Sequence, residues 1–223
     1  MALTLTEHLS STSAQNKLYI EATQHEFLTL AGQGKLPLDR LALRLSQDRI
    51  YAAHAYPRFI GALITRIPFK ETDEICGDVE KKNQEILKAL TSCLTNIVQE
   101  VDFFKQTANM FGMYMDAWEE RKEGLVFLWA MEKVYFDAWT YVRKALQTCD
   151  AKSESSPAVK KFATNWSSPE FDSFVGSLAD MINDIKPGTA EWTRGEAVWQ
   201  RVLELEVTFW PESGEEISMR KRS

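Results

Sequence analysis

Apolar residues recur at intervals of three and four through almost the whole chain, whereas strict apolar–polar alternation bounded by turn residues is hard to find. The pattern predicts an all-helical protein. A first helix is expected over 13–30, closed by Gly32 and Gly34, and a second over 37–67, opened by Pro37, since proline is tolerated in a first turn. Pro57 removes one amide donor from that second helix and predicts a bend or break around 54–56. Further helices are expected over 78–104, 107–118 and 122–148, then, past a polar loop at 149–157, over 158–166, 169–185 and 189–210. The last starts after Pro187-Gly188 with Thr189 as a cap and stops where Trp210 meets Pro211. The helices after the loop are too few and too apolar on one face to stand alone. Residues 1–223 are therefore read as one domain, with 1–12 and 212–223 as loosely ordered tails and no internal repeat.

Against that pattern, four places set an acid or a polar group beside aromatic rings on one helical face. Asp48 and Tyr51, three residues apart, share a face and offer an acid and a stacking surface to a planar, basic heterocycle. The plain alternative is an ion pair between Asp48 and a neighbouring helix. Phe111, Tyr114 and Trp118 form a second stripe in which Gly112 permits close approach to the backbone, although such a stripe is more often ordinary core. In the third, Glu132 lies on one face with Tyr135 and Trp139, while Asp137 falls roughly 140° away and serves another surface. Burial of Glu132 would raise its pKa towards neutrality and suit it to moving protons; a surface pair with a lysine is the alternative. Last, Glu206 precedes Phe209 and Trp210 by three and four residues, near a helix C-terminus where an acid mildly opposes the dipole.

Composition removes several function classes. The formal net charge of -6 and pI near 5.3 weigh against nucleic acid as the main partner, the only basic cluster being Arg220-Lys221-Arg222. Cys76, Cys93 and Cys149 are odd in number and widely spaced, as reduced thiols are, rather than a disulfide frame or a zinc site. No apolar run approaches the ~20 residues of a membrane helix, and no leader is evident. A cytoplasmic protein without membrane association is expected. Glu21 and His25, four apart, are a thin case for iron; no HExxH, CxxC, Gly-rich phosphate loop or GxSxG elbow occurs.

Taken together, His25-Glu26-Phe27, the stretch from Gly32 to Pro37, Gln47-Asp48-Arg49-Ile50-Tyr51 and Glu206-Val207-Thr208-Phe209-Trp210 give a chain that resembles the TenA/THI-4 family over nearly its full length. The resemblance implies a haem-oxygenase-like multi-helical bundle that needs no cofactor and no metal. It also implies hydrolysis of C–N bonds in thiamin-derived pyrimidines for thiamin salvage, with a dimer or tetramer of identical chains as a further expectation. On the matching positions, Asp48 corresponds to the acid that binds the aminopyrimidine and Tyr51 to a pocket tyrosine. Phe111 and Tyr114 fall on an aromatic motif, and Glu206 on the C-terminal glutamate that handles protons. Where cysteine-type members carry a thiol, this chain has Met131, followed by Glu132. The expectation is thus the cysteine-lacking branch, with Glu132 and Glu206 catalytic and Asp48, Tyr51, Phe111, Tyr114 and Tyr135 holding the ring. A pyrimidine-binding or regulatory protein without catalysis is the alternative, and an iron- or haem-dependent oxidoreductase a lesser one.

Overall fold

The computed structural model describes residues 3–13, 16–50, 55–70, 77–100, 121–148 and 156–217. Ten helices occur among them: α1 Leu5–Ser13, α2 Lys17–Thr23, α3 Glu26–Gly32, α4 Leu38–Ile50, α5 Tyr56–Thr65, α6 Asp78–Glu100, α7 Arg121–Thr148, α8 Pro157–Trp166, α9 Pro169–Ile182 and α10 Ala190–Phe209. No strand is present among the described residues, so the all-α expectation holds. The chain divides into two compact units, one made of Met1–Arg44 with Leu125–Ser223 and the other of Leu45–Gly124.

Local chemistry explains most of the boundaries. Thr189 caps α10, its side chain accepting from the Trp192 amide at 3.2 Å, and Ser168 does the same for α9 through Phe171. Gly34, at φ 67°, takes the left-handed conformation that follows α3 and lets the Lys35 amide reach back to the Leu30 carbonyl at 2.8 Å. Pro57 sits in the first turn of α5, where its missing amide costs nothing. The expected 37–67 helix is accordingly two helices, α4 and α5, with 51–54 outside the described residues.

Two departures from the sequence reading matter for the first unit. The segment expected as a loose tail at 1–12 contains α1, which packs on α9 and α10 and buries Leu5 and Leu9 completely or nearly so. Burial of two leucines contributes about 1.5–3 kcal/mol each, enough to hold a short helix that would fray alone. The helix expected at 13–30 is broken at Gln24-His25, where the His25 ring accepts from the Phe27 amide at 3.2 Å and caps α3. The break frees the Ala22 carbonyl from an intrahelical partner. The Trp210 indole donates to it at 2.7 Å instead, tying α2 to the end of α10.

In the second unit, α5 packs on α6. Gly124 is closely covered there: a Cβ would meet Leu63 at 2.4 Å. Asn83, buried on α6, donates to the Pro68 carbonyl at 3.2 Å and fixes the turn after α5.

Candidate functional site

The first unit is organised around α7 and α10, whose large rings meet twice. Trp129 stacks on Trp199, centroids 5.2 Å apart and 28° between planes. Further along both helices, Tyr135 lies nearly parallel to Trp210 at 6.3 Å, and Trp139 meets Trp210 edge-on at 6.4 Å. Contacts advancing in the same sense along the two helices mean that they run side by side in one direction. Glu132 lies between the α7 contact points and Glu206 between those of α10, and both are buried, at 9% and 7% exposure. Carboxylates are rarely that buried unless paired or functional, so two on helices joined by ring contacts form the strongest candidate site in this unit. Helical spacing places Tyr135 one turn after Glu132, and Phe209 and Trp210 one turn after Glu206.

A guanidinium lies against these rings. Arg44, on α4, is fully buried, its Cζ lying 3.7 Å from the centroid of the Phe209 ring, 4.5 Å from Trp210 and 5.7 Å from Tyr135. Planar stacking on aromatic faces suits arginine and offsets part of the cost of taking its charge out of water. One turn earlier, Arg40, 1% exposed, donates to the Glu26 carboxylate at 2.7 Å and to the Pro211 carbonyl at 2.8 Å. That hydrogen bond holds the Glu26 carboxyl below the usual carboxylate range. With the Trp210 bond to Ala22, the chain leaving α10 is fixed from α2 and from α4. Neither arginine stands out in the sequence pattern as a site residue. Their four-residue spacing, continued by Asp48, was the available signal: it puts three charged side chains on one face of α4.

Asp137 turns to a different surface, as the helical phase predicts. It accepts from the Tyr19 hydroxyl on α2 at 2.5 Å and pairs with Lys133 one turn back. Tyr19 in turn stacks on Trp199 at 6.2 Å. Burial, reinforced by the charge and hydrogen bond of Asp137, pushes the Tyr19 hydroxyl well above its ordinary pKa and keeps it neutral.

Of the residues singled out from the sequence, Glu132 and Glu206 are buried in the first unit, and Tyr135 lies against Trp210 there. Asp48 is half-buried in the last turn of α4 and belongs to the second unit. Tyr51, Phe111 and Tyr114 lie outside the described residues, as do Trp118, Cys76 and Cys149. Met131 is buried on α7 directly before Glu132, and Cys93 is buried on α6 in the second unit. Glu21 pairs with Lys17, and His25 caps α3 and meets Glu212, so neither is arranged as the iron ligand weighed from their spacing. Among the described residues no group of three or more His, Cys, Asp or Glu is placed to hold a metal ion, and no helix is long and apolar enough to cross a membrane.

No family model matches the chain. It is 24% identical over 266 residues to a protein of Fusarium pseudograminearum (strain CS3096) named a probable transcription factor, with 94% of this chain and 52% of that protein covered. The chain thus spans about half the length of the curated relative it matches. Among solved structures it superimposes on a TenA homologue from Pyrococcus furiosus with a TM-score of 0.71 at 20% identity, covering 92% of this chain and 98% of that one. A TenA-like thiaminase candidate from Sulfolobus solfataricus P2 gives 0.63 at 18% identity, with 97% of each chain covered. A TenA family transcription regulator from Silicibacter sp. TM1040 gives 0.56 at 16% identity, covering 90% and 93%. Matched from end to end by these all-helical molecules, the chain has the haem-oxygenase-like fold of the TenA homologues.

Proposed function

We propose that this chain is a cysteine-lacking member of the TenA/THI-4 family that hydrolyses a C–N bond of a thiamin-derived pyrimidine, an amino- or formylaminopyrimidine, in thiamin salvage. One observation supports the reading: Glu132 and Glu206 are both buried, on the two helices α7 and α10 whose rings Tyr135, Trp139 and Trp210 meet. Two buried acids supply what amine or amide hydrolysis requires, a base to take a proton from water and an acid to give one to the departing nitrogen. Flat rings exclude water and hold a pyrimidine in place, which converts much of the entropic barrier into binding. In this reading Asp48 binds the amidine edge of the ring and Tyr51, Phe111, Tyr114 and Tyr135 form its walls. With Met131 where a thiol would stand, the route is direct attack by water without a covalent enzyme intermediate. The protein would work in the cytoplasm as a homo-oligomer, without cofactor.

The test is to incubate purified protein with aminomethyl- and formylaminomethyl-pyrimidines and with intact thiamin, and to identify products by mass spectrometry. Release of ammonia or formate with a hydroxymethyl- or aminomethyl-pyrimidine is expected; no product from any of the three overturns the hydrolase reading. A second reading is favoured by the names of two relatives, a probable transcription factor and a transcription regulator: the pocket binds a pyrimidine and reports it. Ligand-dependent thermal stabilisation without turnover would select it.

A further inference from the structure

We propose that His25 makes the hold of residues 22–27 on the end of α10 sensitive to acid: the neutral ring caps α3, and protonation uncaps it. This latch works whether or not the chain turns over a pyrimidine.

The stretch around the α2–α3 break is a socket for the chain leaving α10. The Ala22 carbonyl receives the Trp210 indole at 2.7 Å, and Phe27, in the first turn of α3, stacks on the Trp210 ring with centroids 5.5 Å apart. Arg40, buried on α4, joins the two sides by donating to the Glu26 carboxylate at 2.7 Å and to the Pro211 carbonyl at 2.8 Å. His25 lies within this stretch, its side chain 11% exposed, and both of its ring nitrogens are engaged. Nδ1 accepts from the Phe27 amide at 3.2 Å, and Nε2 meets the Glu212 carboxylate at 3.4 Å.

Those two contacts fix the tautomer. A neutral imidazole has one donor and one acceptor nitrogen; Nδ1 accepts, so Nε2 carries the hydrogen and donates to Glu212. Protonation puts a hydrogen on Nδ1 as well, and two N–H groups then face each other. The ring must turn from the Phe27 amide, and α3 loses its cap. The charges around the ring do not oppose that change. Glu212, beyond α10, and Glu26, on α3, are carboxylates able to receive a cation. Arg40 on α4 is held by Glu26 and Pro211, and Glu21 on α2 pairs with Lys17.

What protonation removes is the anchor of a turn that carries Glu26 and Phe27, the partners of Arg40 and Trp210. Helix α3 is seven residues long, too short to keep its ends ordered by its own hydrogen bonds. Loss of one cap opens such a turn locally and leaves the rest of the fold in place. Trp210 also lies against Tyr135 and Trp139 on α7, so the latch reaches the rings of the candidate site.

The experiment is hydrogen exchange followed by NMR on the full chain from about pH 8 to about pH 5, the range in which histidine changes charge. The His25 ring signals are assigned through His25→Asn, a side chain that keeps a cap acceptor and does not titrate. Before it titrates, the ring should show the Nε2–H tautomer. As it protonates, protection of the Phe27 amide, corrected for the intrinsic effect of pH on exchange, should fall about two- to thirtyfold, the worth of a lost cap. The Trp210 indole should lose protection over the same interval, and both losses should vanish in His25→Asn. An Nδ1–H tautomer, a ring that stays neutral throughout, protection unchanged at either position as the ring titrates, or the same losses in His25→Asn overturns the proposal. Should His25→Asn fail to fold, the wild-type tautomer and exchange decide.

Discussion

Helix α7 carries two acids five residues apart whose surroundings differ completely. Asp137 sits in a conventional polar contact: Lys133 neutralises it, the Tyr19 hydroxyl donates to it, and its neighbours are on α2. Glu132 instead is buried, on the helical face it shares with Tyr135. The same contrast recurs on α10, where Glu204 pairs with Arg201 at 2.6 Å on the surface while Glu206, two residues on, is buried. Residue type is almost constant across these comparisons, so helical phase decides whether an acid becomes part of the scaffold or part of a chemical site.

Substitutions at the two kinds of acid should separate cleanly, and the largest effect is expected in the ring layer. Glu132→Gln and Glu206→Gln should each lower turnover of an aminopyrimidine by about 10²- to 10⁴-fold, the usual share of general acid–base catalysis, with melting temperatures close to wild type. Wild-type turnover in both would make the two faces of α7 equivalent. Removing a wall of the same layer tests its packing: Trp210→Ala should destabilise by about 3–5 kcal/mol in denaturant unfolding, since it also strands the Ala22 carbonyl.

The Asp137 surface should respond in stability rather than in turnover. Tyr19→Phe deletes one hydrogen bond and should cost about 1–2 kcal/mol, leaving kcat unchanged. It also has a pH signature. The Tyr19 hydroxyl titrates higher in the folded than in the unfolded chain, so its contribution is fully present below the unfolded value near 10 and is lost as pH rises above it. Alkaline unfolding curves should therefore be less steep for Tyr19→Phe than for the wild type above pH 10. The smallest effect belongs to the surface pair, where Glu204→Ala should change stability by no more than about 0.5 kcal/mol. A larger loss there would blur the distinction between Glu204 and Glu206.

Much of this organisation was legible in the chain before any coordinates. The cap at Thr189, the glycine after α3, the break before Pro57 and the phase difference between Glu132 and Asp137 are local properties, encoded within a few residues of where they act. The helix broken at His25 was not legible, because its periodicity continues through 13–30 and the break is supported by Trp210, 188 residues away from Ala22. Nor was α1, whose few apolar residues mean little until α9 and α10 lie beneath them.

Sequence alone determined that the chain is all-helical, where most of its helices start and stop, and which acids share a face with which rings, because periodicity and capping act over one or two turns. Tertiary structure alone decided that Arg40 and Arg44 are interior residues, that Tyr135 meets Trp210, and that Asp137 serves Tyr19. A helical period names the side of a helix that will be covered, but not what covers it. A charged residue reads as solvent-facing until the rings that bury it are placed by segments far away in the chain.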